Sequence, residues 1–229
     1  MRRFWGSLLV AVALMAVSAG ASVVTSIPGG TVVPIPAVPC GPPAFACFGP
    51  GPVTFGPGIT WSSTNAFNQG GSVFGYTGDL GPYLYGTNGQ WTGALGPMAG
   101  LNDSTFDSSF TDTMTFALPT PAFAVGGFLN YFPGHPPTTI AVYDSSCDPR
   151  VSTCTPIESY NLTFTTSGND TGAFYGFRES SAVISYFTLT DNYVGITGFT
   201  ELVPEPGSLL LIGTGLLGVI GYSRRHLGM

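Results

Sequence analysis

The sequence offers few side chains that could form a catalytic site. Between residues 22 and 203 the only histidine is His135, which lies in the turn-forming sequence Phe132-Pro133-Gly134-His135-Pro136-Pro137, and no G-x-S-x-G element is present. A serine or cysteine nucleophile would need a base beside it. Carboxylates are more numerous, but sequence alone does not place two of them at the roughly 5 to 9 Å that glycoside hydrolysis requires. We therefore predict a protein that is not an enzyme and uses no cofactor.

Oxygen-bearing side chains are concentrated between Asn102 and Asp112. Asp103, Asp107 and Asp112 could offer carboxylate oxygens to a hard cation such as calcium. The run lacks the D-x-D-x-D-G pattern of a calcium loop, so a solvated acidic turn is the simpler interpretation. We predict that the protein binds no metal. The alternative is a calcium site, for which these three aspartates are the candidate ligands.

Aromatic residues could instead bind a sugar. Their flat faces stack on sugar rings when they are exposed, and the candidate ligand-binding residues are Trp61, Tyr83, Tyr85 and Trp91, all near turn-rich sequence. The competing interpretation, which we favour, is that these rings fill a core between two sheets.

Cysteines occur as two pairs of equal spacing, Cys40 with Cys47 and Cys147 with Cys154. An even number in an exported chain favours disulfides, and the equal spacing favours two local rings, although four cysteines allow three connectivities. Zinc would call for closer cysteines or nearby histidines. We predict two local disulfides.

The C-terminal end has three unlike features in a fixed order. Val203-Pro204-Glu205-Pro206 is extended because proline fixes φ and disfavours the helical region for the residue before it. The 16 residues from Gly207 to Tyr222 carry no charge, and Arg224-Arg225 follow. A helix of that length spans about 24 Å, short of a typical hydrocarbon core of about 30 Å. We predict a short transmembrane helix over residues 207–222 with its arginines in the cytoplasm.

These residues resemble a PEP-CTERM sorting signal. The resemblance implies a temporary membrane anchor that an exosortase, an integral membrane cysteine peptidase, recognises and cuts at or near the Pro-Glu-Pro element. Carried over by residue, it makes Val203, Pro204, Glu205 and Pro206 the recognition element and Arg224 and Arg225 the membrane stop. The alternative is an ordinary C-terminal anchor that is never processed.

The N-terminal end reads as a secretory signal peptide over residues 1–21. It has a basic start at Arg2-Arg3, an apolar stretch from Ser7 to Val17 and a cleavage site at Ala19-Gly20-Ala21, so that Ala19 and Ala21 mark the cut. With basic residues inside at both ends, the body between them must lie outside the cytoplasmic membrane. We expect transient anchoring, followed by residence in the cell envelope, at the outer surface or in the extracellular matrix.

The body is strongly acidic. It contains no lysine and two arginines against eleven acidic residues, a formal charge of −9, which argues against nucleic acid or an anionic membrane surface as its partner. The chain has 33 glycines and 20 prolines, yet its 17 phenylalanines and 10 tyrosines supply apolar area for a core. We expect one folded domain at residues 58–202, preceded by a Pro/Gly-rich linker or wrapping arm at residues 22–57.

Short strands dominate the body, and no apolar repeat of 3.6 residues is present. Alternation is clearest where Tyr160, Leu162 and Phe164 share one face. Strands are predicted at residues 59–61, 72–76, 83–85, 113–118, 122–129, 139–143, 159–166, 173–177, 182–190 and 193–202. These predict an all-β protein with a single β-sandwich or jelly roll.

The segments 123–128, 140–144, 174–177 and 184–189 also resemble the jelly-roll bodies often joined to PEP-CTERM tails, which look like carbohydrate-binding modules. We expect an exported structural or adhesive protein with exosortase and the membrane as partners. The alternative is a glycan-binding module, with or without calcium, whose partner is extracellular polysaccharide; further alternatives are an ice- or surface-binding protein and a hydrolase.

Overall fold

The computed structural model describes residues 22–66, 71–102, 111–134 and 137–205. Within them the chain is all-β, and its one helical segment is a single 3₁₀ turn at Gly86–Asn88. The strands are β1 Ser22–Val24, β2 Thr31–Val32, β3 Val53–Phe55, β4 Ile59–Ser63, β5 Ser72–Tyr76, β6 Tyr83–Leu84, β7 Gln90–Trp91, β8 Met98–Asn102, β9 Asp112–Ala122, β10 Ala124–Tyr131, β11 Thr139–Tyr143, β12 Glu158–Asn161, β13 Ala173–Arg178, β14 Ile184–Asp191 and β15 Tyr193–Leu202.

Two antiparallel sheets hold most of these strands. The first has the order β1-β13-β10-β15-β8-β5, with β2 also pairing with β15, and the second has the order β12-β11-β14-β9-β4-β3. Phe123 joins strands β9 and β10, and Asn192 joins strands β14 and β15. At each of these two junctions the chain passes from the second sheet to the first across a single residue. The predicted all-β, sandwich-like body is confirmed.

One apolar core lies between the two sheets. Phe116 of the second sheet stacks on Phe199 of the first with ring centroids 4.7 Å apart, and Trp61 lies 5.2 Å from Phe74. Phe187 of the second sheet contacts Phe177 of the first. Burial of such rings is the main favourable term in folding, so these contacts hold the sheets face to face.

The proline-rich segment at residues 22–57 lies on the sandwich as a wrapping arm. Its residues form β1, β2 and β3, and Val33 and Ile35 are buried in the main core. The Val33 N–H donates to the Phe199 carbonyl (2.7 Å), beyond the two-residue pairing of β2 with β15. Proline limits ladder hydrogen bonds, which explains why the arm makes only short strands.

Two local disulfides are present, as predicted. Cys40 and Cys47 have Cα atoms 4.9 Å apart, and Cys147 and Cys154 have Cα atoms 5.8 Å apart. Cys40 and Cys47 themselves are buried beside β5, where the Phe74 N–H donates to the Cys47 carbonyl (2.8 Å). Their ring covers an otherwise open sheet edge, which is a site of unwanted strand pairing.

The sandwich has two ends, which we name by β15. The tail pole is the end where β15 finishes at Leu202, and the far pole is the end where β15 begins at Tyr193. Ten residues of strand separate them by about 30 Å. Among the described residues no helix has the length and apolar character to cross a membrane, and the helix predicted at residues 207–222 lies outside them.

Candidate functional site

The last strand runs directly into the predicted recognition element. At the end of β15, Leu202 lies opposite Ala124, and its carbonyl accepts a hydrogen bond from the Phe123 N–H (2.7 Å). Val203 is half-buried, and Pro204 and Glu205 are exposed. Pro204 and Glu205 are therefore presented at the surface, with only Val203 between them and the last residue of the sheet.

The position of this junction depends on how β15 packs. Val194, Ile196 and Phe199 are all fully buried in the main core. The step from residue 196 to residue 199 breaks strict alternation, and it coincides with a register shift against β10 and with Gly198 at φ +57°. A β-bulge with glycine in the left-handed region returns the following side chains to the core face.

Both ends of the body leave from the tail pole. Ser22, the predicted first residue after signal cleavage, pairs with Arg178, which pairs with Ala124, which pairs with Leu202. Neighbouring strands lie about 4.8 Å apart, so three steps place residues 22 and 202 about 14 Å from each other. A body tethered to a membrane through either end would thus present the same pole to it.

Glu201 is a buried carboxylate next to this junction. It has 4% of its surface exposed and lies opposite Val125 on one side and Thr31 on the other. Its Oε2 has no hydrogen-bond partner, and burial raises the pKa of its carboxyl group. Burying an ionisable group without a hydrogen-bond partner raises the free energy of the folded state, so Glu201 destabilises the end of β15.

The four aromatic candidates are buried, Trp61 in the core between the two sheets and the other three in a second apolar cluster. Trp61 and Tyr85 expose none of their surface, Trp91 exposes 2% and Tyr83 exposes 6%. Gly195 of β15 makes room for two of them, because a Cβ there would meet the Tyr85 hydroxyl and the Trp91 ring. All four rings are buried, but Trp61 alone of the four fills the core between the sheets that the competing interpretation describes.

A cavity of about 410 Å³ opens at the far pole. Its wall is mainly apolar and includes the rings of Tyr76, Tyr83, Phe132 and Tyr193 and the exposed leucines Leu80 and Leu84. No charged side chain of the described residues lines it. Of the aromatic candidates, Tyr83 lines this cavity, and Trp61 lines a different one beside Cys47. The far-pole cavity suits a neutral, largely apolar group better than a charged one.

Comparison with known protein families places the junction in a recognised motif. The family model described as "PEP-CTERM protein-sorting motif" matches residues 202–225. This chain carries a PEP-CTERM sorting motif. The match begins at Leu202, the last residue of β15, so the sorting motif starts where the folded body ends. Comparison with curated proteins and with solved structures found no match.

The PEP-CTERM motif implies an exported protein that an exosortase sorts to the cell surface. Of its predicted recognition residues, Val203, Pro204 and Glu205 are described, whereas Pro206 lies outside the described residues. The membrane stop at Arg224 and Arg225 and the signal cleavage site at Ala19 and Ala21 also lie outside the described residues.

The candidate metal and base residues are only partly described. Asp103, Asp107 and His135 lie outside the described residues. Asp112 accepts hydrogen bonds from the Thr64 hydroxyl (2.9 Å) and the Asn65 side-chain amide (2.6 Å), which join the start of β9 to the segment after β4. Over the described residues no three histidine, cysteine or acidic side chains form a group that could hold a metal ion.

Sequence reasoning missed two buried acids. Glu201 lies two residues after the core residue Phe199 and so on the same face of β15, but that face turns to the core only through the bulge at Gly198, which the sequence does not reveal. Asp191 is the last residue of β14, next to the junction with β15, where aspartate ordinarily signals an exposed turn. It is instead fully buried, and burial raises the pKa of its carboxyl to about 6.

Proposed function

We propose that this chain is a non-enzymatic structural protein of the cell envelope or the extracellular polysaccharide matrix. It is exported, held briefly by its C-terminal apolar segment, and released or transferred when an exosortase cuts at or near Pro204-Glu205-Pro206. The body is a jelly-roll-type sandwich that the cut leaves intact.

One observation carries this proposal. The family motif begins at Leu202, and the first two residues of the Pro-Glu-Pro element are exposed directly after β15. These two residues thus lie at the surface, whereas the strand before them belongs to a closed, disulfide-bonded sandwich. The predicted first residue of the body leaves from the same pole, which suits a body that is tethered at one pole and faces outward with the other.

Tail removal tests the proposal. The full chain is expressed in a strain with a functional exosortase and in an otherwise identical strain without one, and the C-terminus is read by mass spectrometry. We expect a product that ends within or next to residues 203–206 in the first strain and a retained tail in the second. An identical, unprocessed C-terminus in both strains would refute processing.

A glycan-binding role remains the second proposal for the body. Its support is the far-pole cavity, which has aromatic walls and lies about 30 Å from the tethered pole. A glycan array with folded protein, in the presence and absence of calcium, tests it; blank arrays under both conditions would reject it.

A further inference from the structure

Almost no free chain separates the folded body from the Pro-Glu-Pro element, at or near which the cut is proposed. Leu202 is the last residue of β15, and only Val203 separates it from Pro204. A peptidase cleft binds its substrate as extended chain on both sides of the bond that it breaks, with main-chain hydrogen bonds to several residues. In the closed body, the backbone of Leu202 is already paired with β10.

We infer that the end of β15 must detach from the sheet, over Glu201 and Leu202, before the exosortase can cut. This inference rests on the proposed function and specifies a condition for it. The sheet and the peptidase compete for the same backbone groups, so the rate of tail removal depends on how often this strand end opens.

The hydrogen bonds and neighbours at this strand end are few. Opening breaks the bond from the Phe123 N–H to the Leu202 carbonyl and the pairing of Glu201 with Val125. On the other side of β15 the neighbour is β2, which has only two residues, both exposed. Local opening is cheapest where few apolar contacts are lost.

Glu201 makes opening easier still. Its Oε2 is buried without a hydrogen-bond partner, so the detached strand end regains hydration that the folded state denies. Further into the strand the fully buried Phe199 and Ile196 hold β15 in the core. Opening is therefore confined to the last two residues, and the sandwich survives it.

Two variants of the full chain separate this inference from a general effect on stability. In Glu201→Met the methionine side chain is about as long as that of glutamate and lacks the unpartnered carboxylate, so this variant keeps the strand end closed. We expect tail removal, measured by pulse-chase in the exosortase-positive strain, to slow about tenfold.

A Gly-Ser-Gly-Ser insertion between Leu202 and Val203 supplies free chain. By itself it should give a rate at or above the original one, and combined with Glu201→Met it should restore that rate. Asp191→Asn, which removes a buried carboxylate near the far pole, is the matched control and leaves the rate unchanged.

Amide hydrogen exchange on the full chain in detergent provides a direct reading. The Phe123 N–H bonds to the last residue of β15, and the Phe132 N–H bonds to its first residue, Tyr193 (3.0 Å), so the two amides report on opposite ends of one strand pair. We expect Phe123 to exchange faster and to be slowed by Glu201→Met, with Phe132 unaffected. Equal processing rates for Glu201→Met, the insertion variant and the original chain would overturn the inference, as would equal protection of both amides. If no variant is cut in either strain, the proposed function itself has failed.

Discussion

Replacing Asp191 by asparagine should stabilise the folded body at neutral pH and remove much of its stability change at acidic pH. Asp191 has no exposed surface, and its carboxylate accepts hydrogen bonds from the Thr138 hydroxyl and from the Asn192 N–H (2.6 Å). Burial raises the pKa of this carboxyl from 3.8 to about 6, against the opposing effect of these hydrogen bonds. The folded state therefore disfavours the charged form.

The sign follows from proton linkage. A carboxyl with a higher pKa in the folded state binds more protons there than in the unfolded state, so the free energy of unfolding falls as pH rises from about 4 to about 6 and stays level above. A shift of about two pKa units at about 1.4 kcal/mol each gives about 3 kcal/mol for Asp191. The asparagine side chain can still accept from the Asn192 N–H and can donate to the Thr138 oxygen once that hydroxyl turns.

Urea unfolding of the original body and Asp191→Asn, at intervals from pH 4 to pH 8, measures this difference. We expect similar free energies of unfolding near pH 4 and a variant more stable by up to about 3 kcal/mol at pH 8. Asp144→Asn is the control: Asp144 is exposed and the Ser146 hydroxyl lowers the pKa of its carboxyl, so its removal should not stabilise the body at pH 8. Parallel curves for Asp191→Asn and the original body would refute the assignment to Asp191.

Three further predictions concern the disulfides and the packing of buried rings. Changing Cys40 and Cys47 to serine should lower the free energy of unfolding by about 2.5 kcal/mol through loop entropy alone, and by more in practice because both cysteines are buried. The same change at Cys147 and Cys154 should lower it by less than the first change does. Urea unfolding compares the two variants. Trp61 and Trp91 should fluoresce at short wavelength and resist acrylamide quenching in the folded body, and strong quenching would contradict their burial. A Gly195→Ala change should lower the thermal unfolding temperature, since its Cβ meets Tyr85 and Trp91, and an unchanged temperature would contradict that packing.

Strand positions could be predicted well where polar turn residues bound an apolar run. The predictions at residues 72–76, 139–143 and 193–202 match the observed strands. The segment predicted at residues 159–166 keeps its alternating burial, but its ladder ends at Asn161. The Leu162 N–H still donates to the Thr138 carbonyl (2.8 Å). Further on, side chains bond the backbone: the Tyr131 hydroxyl donates to the Phe164 carbonyl (2.8 Å), and the Thr166 N–H donates to the Asn88 side chain (3.1 Å). Such long-range side-chain bonds leave no local signal.

The sorting element could be found from sequence because its features are local and ordered along the chain. Its relation to the fold could not. That Ser22 and Leu202 share one pole depends on the strand order β1-β13-β10-β15, which pairs segments far apart in the chain. The burial of Glu201 likewise depends on the bulge at Gly198, which shifts the face that each later side chain occupies.

The most direct test of the account is the C-terminal residue of the protein recovered from the cell surface or the surrounding medium. Intact-mass analysis of this material, compared between strains with and without a functional exosortase, should give a chain that begins near Ser22 and ends within or next to residues 203–206 only where the peptidase is active. A surface-located chain that still ends at Met229 in both strains would contradict it.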